Sequence, residues 1–195
     1  EPARGAISKA LDKLKENIVQ VEGRSGRINR RAEDYSVLSN TQRREPVIGT
    51  GTNADRGEIN AKVRGHLRAK GELEGGREYR TAQGAREFAP GDKVVFLKND
   101  RELMVKNGQG GVVRVVEDGK LLVESRDRLK TVDLARYNHL DHGYTLTAHK
   151  AQGITADRAL IHLDSQQKGV NNRNAFYVDL SRARHEVKIY TDDRQ

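Results

Sequence analysis

The chain has 195 residues, 35% of them hydrophobic and 33% charged, and no cysteine, so disulfides, thiolate metal sites and cysteine nucleophiles are excluded. No run of about eighteen apolar residues exists to span a membrane, the first residues read as charged and not as a signal peptide, and the composition fits a cytoplasmic protein. The formal net charge is +8, of which +6 falls in residues 1–70 and +1 in each of 71–140 and 141–195, a bias that favours a polyanionic partner over the first third.

In chain order, Ile7, Ala10, Leu11 and Leu14 recur at helical spacing within residues 6–16 and predict an amphipathic helix. The short run Ile18-Val19-Gln20-Val21 predicts a strand, broken by Gly23-Arg24-Ser25-Gly26. A second helix is expected over 27–38, with Ile28, Ala32, Tyr35 and Leu38 as its buried stripe. Arg24, Arg27, Arg30 and Arg31 crowd its start, where cations oppose the helix dipole. They read either as a solvated face or as a phosphate-binding cluster.

Residues 46–52 read as a buried strand, and Asn53-Ala54-Asp55-Arg56 opens a helix with Ile59, Val63 and Leu67 four apart. Thr52 or Asn53 can cap that helix, and a strand running straight into a capped helix is half of a parallel α/β unit. In open α/β sheets such a junction meets ligands, so Thr52 and Asn53 are binding candidates, with plain capping as the alternative. The glycines of 71–76 end the helix. Beyond them, Lys93–Leu97, Gly111–Val116, Lys120–Glu124 and Thr131–Leu134 are short β patterns joined by turn-rich connectors. Four or five such strands in about sixty residues predict a small antiparallel β-barrel, with a continuous mixed domain as the competing reading.

Residues 144–153, Tyr-Thr-Leu-Thr-Ala-His-Lys-Ala-Gln-Gly, concentrate hydroxyls, an imidazole, an ammonium and an amide before a glycine that permits close backbone approach. A strand over 158–163, a polar loop, a helix over 173–183 and a final strand over 186–190 complete the chain. Strand, helix, strand at this spacing requires parallel pairing. At the end of that helix Ser181, Arg182 and Arg184 stand among the apolar Tyr177, Val178, Leu180 and Ala183.

Thr147-Ala148-His149-Lys150-Ala151-Gln152-Gly153 and Tyr177-Val178-Asp179-Leu180-Ser181-Arg182-Ala183-Arg184 resemble motifs V and VI of superfamily-one DNA helicases of the RecD-like branch. Thr50-Gly51-Thr52-Asn53-Ala54-Asp55-Arg56 with Ile59-Asn60 is similar to their motif IV region. Gly91-Asp92-Lys93-Val94-Val95-Phe96, Asn99-Asp100 and Val105-Lys106-Asn107-Gly108 are similar to a barrel inserted in the second motor domain. Gly143-Tyr144 and Val187-Lys188-Ile189-Tyr190-Thr191-Asp192 narrow the resemblance to conjugative relaxase-helicases of the TraI/TrwC type, over roughly residues 36–195.

The resemblance implies an α/β, RecA-like second motor domain, a parallel sheet with flanking helices formed by 36–76 and 138–195. It implies an inserted small antiparallel β-barrel at 77–137, preceded by a basic helical segment at 1–35. By the same resemblance Arg182 is an arginine finger toward the γ-phosphate of ATP. Gln152 and Gly153 face that nucleotide cleft, and Thr147, His149 and Lys150 line single-stranded DNA with Thr52 and Asn53 near the next nucleotide. His149 has the alternative of a turn-capping or core histidine, and Arg182 that of a surface salt bridge. No phosphate-loop motif or Asp-Glu pair precedes position 50, so ATP and Mg2+ belong to the complete protein, and this chain alone is expected to be inactive.

Expected partners are single-stranded DNA, the first motor domain of the parent chain and a type IV secretion coupling protein. Two other functions compete with the motor reading: a translocation-signal module recognised by the secretion apparatus, its parent exported to the recipient cell, and a vestigial motor half that only holds single-stranded DNA.

Overall fold

A computed structural model describes residues 16–43, 47–48, 53–146, 156–163 and 183–192. The expected helices over 6–16 and 173–183 fall almost wholly outside these residues. Two compact units are formed, residues 1–56 with 146–195, and residues 57–145.

In the first unit, β1 (Ile18–Gln20) precedes helix α1 (Arg24–Ser36), followed by β2 (Val47–Ile48) and the start of α2 (Asn53–Ala69). The long strands β11 (Ala156–Leu163) and β12 (Ala183–Thr191) close the chain. Strand order is β1-β12-β11-β2-β10, with β10 the pair Thr145–Leu146. β12 runs parallel to β1 (Ile18 opposite Ile189) and to β11 (Ile161 opposite Ile189), and β11 runs parallel to β2 (Ala159 opposite Ile48). The strand–helix–strand spacing therefore yields parallel pairing as expected. Both faces of such a sheet need cover, which is why Ala159, Leu160 and Ile161 form an unbroken buried run.

Helix α1 starts three residues earlier than periodicity suggests, directly after Gly23, whose φ of 70° is a conformation open to glycine. Its buried stripe is Ile28, Ala32 and Tyr35, each fully enclosed. The arginine cluster is neither a solvated face nor a phosphate site as a whole. Arg27 and Arg31 are 2% and 1% exposed. Arg31 donates to the carbonyl of Leu160 at 2.7 Å, Arg27 pairs with Asp192 at 3.8 Å, and Arg24 donates to Asp55 in the first turn of α2 at 2.6 Å. The amphipathic pattern misplaces these residues because a guanidinium on a long stem can reach across a sheet and satisfy strand carbonyls that no apolar side chain could. On the same helix Asp34 accepts from the hydroxyl of Tyr190 at 2.6 Å. Burial, reinforced by that carboxylate, pushes the Tyr190 hydroxyl well above its ordinary pKa.

In the second unit, α2 turns Ile59, Val63 and Leu67 inward, one residue per turn on one face. The strands β3 (Arg77–Thr81) and β4 (Gly84–Phe88) form a hairpin. The strands β5 (Lys93–Phe96), β6 (Gly110–Glu117), β7 (Lys120–Ser125), β8 (Arg128–Asp133) and β9 (Leu140–His142) form an antiparallel sheet in the order β8-β7-β6-β5-β9. Sequence patterning missed the hairpin and β9. Arg-Glu-Tyr-Arg-Thr and Gly-Ala-Arg-Glu-Phe carry too few apolar residues to alternate, and β9 has only three residues.

Hairpin and sheet share one core: Tyr79 and Phe88 pack with Val94, Phe96, Val113, Leu121, Val123, Val132 and Leu140. Each such burial is worth about 1.5–3 kcal/mol. The Tyr79 hydroxyl further donates to the carbonyl of Glu117 at 2.6 Å, tying the hairpin to the end of β6.

Candidate nucleic-acid interface and its support

The residues assigned to DNA and nucleotide fall mostly outside the described set. Thr52, Thr147, His149, Lys150, Gln152, Gly153 and Arg182 are among these, and Asn53 is present as the exposed first residue of α2. What the structure does define is the ground from which the 147–153 motif departs.

That ground is the run Leu140 to Thr145, and it is held by side chains far away in sequence. Asn60, 2% exposed on α2, donates through Nδ2 to the carbonyl of His142 at 2.9 Å. Its Oδ1 accepts from the backbone N–H of Thr145 at 2.8 Å and from the Thr145 hydroxyl at 3.1 Å. One amide thus answers both polarities of the backbone where β9 gives way to β10.

Tyr144, 1% exposed, donates its hydroxyl to Asp92, and Asp92 is fully buried. The same carboxylate accepts from Arg64 Nε at 3.0 and 3.1 Å and from the N–H of Ala89 at 2.7 Å. A buried carboxylate survives only when charge and lone pairs are both answered, and here a guanidinium, an amide and a phenol answer them. Asp92 and Glu87 together outweigh the burial that opposes the Arg64 charge, and they raise its pKa further.

Gly143 directly follows β9, which pairs antiparallel with β5: a Cβ there would lie 2.7 Å from the carbonyl carbon and oxygen of Val94 and 3.0 Å from the N of Val95. Backbone cannot step aside, so only glycine allows this approach. His142 Nε2 lies 2.9 Å from the carbonyl of Glu87, and its ring packs edge-on against Phe88 at 5.1 Å. Burial lowers the His142 pKa, the Asp92 charge opposing this.

Asn60, Asp92 and Gly143 all stood inside the quoted motif stretches, yet sequence reasoning gave none of them a role. Asn60 and Thr145 are 85 residues apart, Asp92 and Tyr144 52, and no local pattern pairs them.

A second feature of this unit is a cleft of 470 Å³ lined by Arg77, Glu78, Arg80, Glu117 and Asp118 among others. Its lining mixes two arginines with three carboxylates. Among the described residues no group of three or more His, Asp or Glu stands close enough to hold a metal ion. No described helix is long and apolar enough to cross a membrane.

Comparison with known proteins agrees with this architecture. The chain is 33% identical over 207 residues to a probable conjugal transfer protein TraA of Sinorhizobium fredii, covering 96% of this chain and 17% of that protein. It is 34% identical to the multifunctional conjugation protein TraI of Escherichia coli, over 54% of this chain and 6% of that protein, and 37% identical to the RecD2 DNA helicase of Deinococcus radiodurans, over 54% of this chain and 14% of that protein. The chain therefore spans less than a fifth of the length of these relatives. The crystal structure of Bacteroides Pif1 bound to ssDNA aligns with a TM-score of 0.59 at 20% identity, over 95% of this chain and 45% of that one, and shares the fold. The parallel sheet with flanking helices is accordingly the RecA-like α/β fold of helicases. Residues 91–191 match the viral superfamily 1 RNA helicase core domain, and the chain belongs to that helicase family, in the company of conjugal-transfer relaxases and RecD helicases.

Proposed function

We propose that the chain is the second motor domain of an ATP-dependent 5′-to-3′ DNA helicase within a conjugative relaxase, gripping single-stranded DNA and supplying an arginine finger to ATP hydrolysis. In this reading 36–76 and 138–195 form the motor domain. Residues 77–137, with their hairpin and meander, act as the small inserted barrel, and 1–35 form a basic lead-in. The observation that supports it is the anchorage, by the side chains of Asn60 and Asp92, of residues 142–145, which lead in sequence to the polar stretch 147–153. The parallel sheet supports it too. β2 and β11 point the same way, and α2 begins at Asn53 just beyond the carboxyl end of β2, the edge at which open α/β sheets take ligands.

Thr147, His149 and Lys150, with Thr52 and Asn53, contact the DNA backbone, so sequence preference is weak and affinity falls with salt at a slope of about −0.7 per phosphate neutralised. ATP with Mg2+ supplies the free energy in the complete protein, whose other motor domain holds the phosphates and the metal. Gln152 and Gly153 border that cleft, and Arg182 places a fixed cation where charge develops on the transferring phosphoryl group.

The test is Arg182→Ala in the full-length parent protein. ATPase stimulated by single-stranded DNA should fall about a thousandfold or more, the scale of an arginine finger. Normal turnover would reject the assignment.

A further inference from the structure

We infer that Asn60 and Asp92 are positioning residues for the DNA-facing motif, acting through Thr145 and Tyr144; this rests on the reading of 147–153 as a strand-gripping element. Two consecutive residues at the exit of β9 are gripped by two different side chains. Asn60 takes hold of Thr145 through both its N–H and its hydroxyl, and of His142 through its carbonyl. Asp92 takes hold of Tyr144 through the phenol. Between them Gly143 lies against the backbone of Val94 and Val95 too closely for any side chain. Four consecutive residues, 142–145, are thereby fixed in translation and in rotation about the chain axis, two residues before Thr147.

The two anchors have separate origins. Asn60 belongs to helix α2, whose first residue is the candidate DNA contact Asn53, seven residues and about two turns away. Asp92 immediately precedes β5 and is itself held by Arg64, one turn further along α2 than Asn60, so the two anchors meet on one helix face. A shift of α2 would therefore carry the root of the 147–153 motif with it. Arg64 adds a further link, its Nη1 reaching Glu87 of β4 at 3.4 Å, so the hairpin is tied to the same helix.

The anchoring is chemically specific. Asn60 uses its amide as donor and acceptor at once, so an aspartate of equal size would keep the bonds from Thr145 and set a carboxylate against the His142 carbonyl. Tyr144→Phe would keep the ring and the buried Asp92–Arg64 pair while releasing the phenol bond.

The test uses the full-length parent protein with oligo-dT as the probe, measuring ATPase against DNA concentration. Asn60→Asp and Tyr144→Phe should each raise the half-saturating oligo-dT concentration about tenfold, the scale of one buried hydrogen bond lost, with a smaller change in maximal turnover. Arg136→Ala, which removes only an exposed pair with Glu102, should leave both unchanged. An unchanged half-saturation in both variants overturns the inference. So does a fall in maximal turnover that tracks lost thermal stability while half-saturation stays put. If the unaltered parent shows no DNA-stimulated ATPase at all, the motor reading itself fails, a result separate from either of these.

Discussion

Removing the Asp92 carboxylate tests the buried network more directly than any other change. Asp92→Ala leaves the Arg64 guanidinium, whose side chain is 10% exposed, without its fully enclosed partner. It also removes the carboxylate that accepts from the Ala89 N–H and the Tyr144 hydroxyl. Breaking a buried ion pair from one side costs about 3–5 kcal/mol, and each orphaned donor about 1–3 kcal/mol more. These terms do not add, because Arg64 keeps Glu87 and the space left by the carboxylate can admit water. A loss of about 3–5 kcal/mol is the working figure, a large part of the roughly 5–15 kcal/mol by which domains are stable.

Urea unfolding of the chain, followed by far-ultraviolet circular dichroism, reads this out. With a slope of about 1–3 kcal/mol per molar, the transition of the 57–145 unit should move down by at least about 1 M. Asp92→Asn keeps the shape and part of the accepting capacity, so it should fall between Ala and the unaltered chain. A shift for Asp92→Ala worth less than about 1 kcal/mol would show that the carboxylate is not the keystone of the unit and that the anchoring of Tyr144 needs another cause.

Two further outcomes follow from the same geometry. Gly143→Ala should destabilise by about 1–3 kcal/mol, since the added methyl meets the backbone of Val94 and Val95 and not a side chain that can rotate away; thermal melting of the variant checks this, and an unchanged melting temperature rules out the close approach. His142 has a pKa below its ordinary 6.5 in the folded chain, chiefly through burial, so the unfolded chain binds more protons between the two values. Stability from this group is complete above about pH 6.5 and is lost as pH falls toward the folded value. Melting temperatures across pH 4.5–7.5 should show that decline, and His142→Gln should flatten it; an identical slope in the variant would exclude His142 as its source.

Much of the architecture was legible in the residues themselves. Ile28, Ala32 and Tyr35, and again Ile59, Val63 and Leu67, repeat at helical spacing and are buried as that spacing requires. The parallel pairing of β11 with β12 followed from the length of chain between them, too long for a hairpin. The charged hairpin of β3 and β4 was not legible, because its stability comes from Tyr79 and Phe88 packing into a core assembled by later strands. Nor was the burial of Arg27 and Arg31. Charge on a sequence reads as surface, and only a strand carbonyl at the right distance makes an interior position affordable.

The sequence by itself determined the order in which the polar and cationic residues stand along the chain, and which helicase family that order belongs to. The tertiary structure alone decided how part of that chemistry is held. Asn60 and Asp92 act on residues 85 and 52 positions away. A hydrogen bond between groups so distant depends on the mutual placement of a helix, a sheet and a turn, each fixed by packing that involves many other residues. No local pattern encodes it, and only the folded chain brings Asn60 to Thr145 and Asp92 to Tyr144.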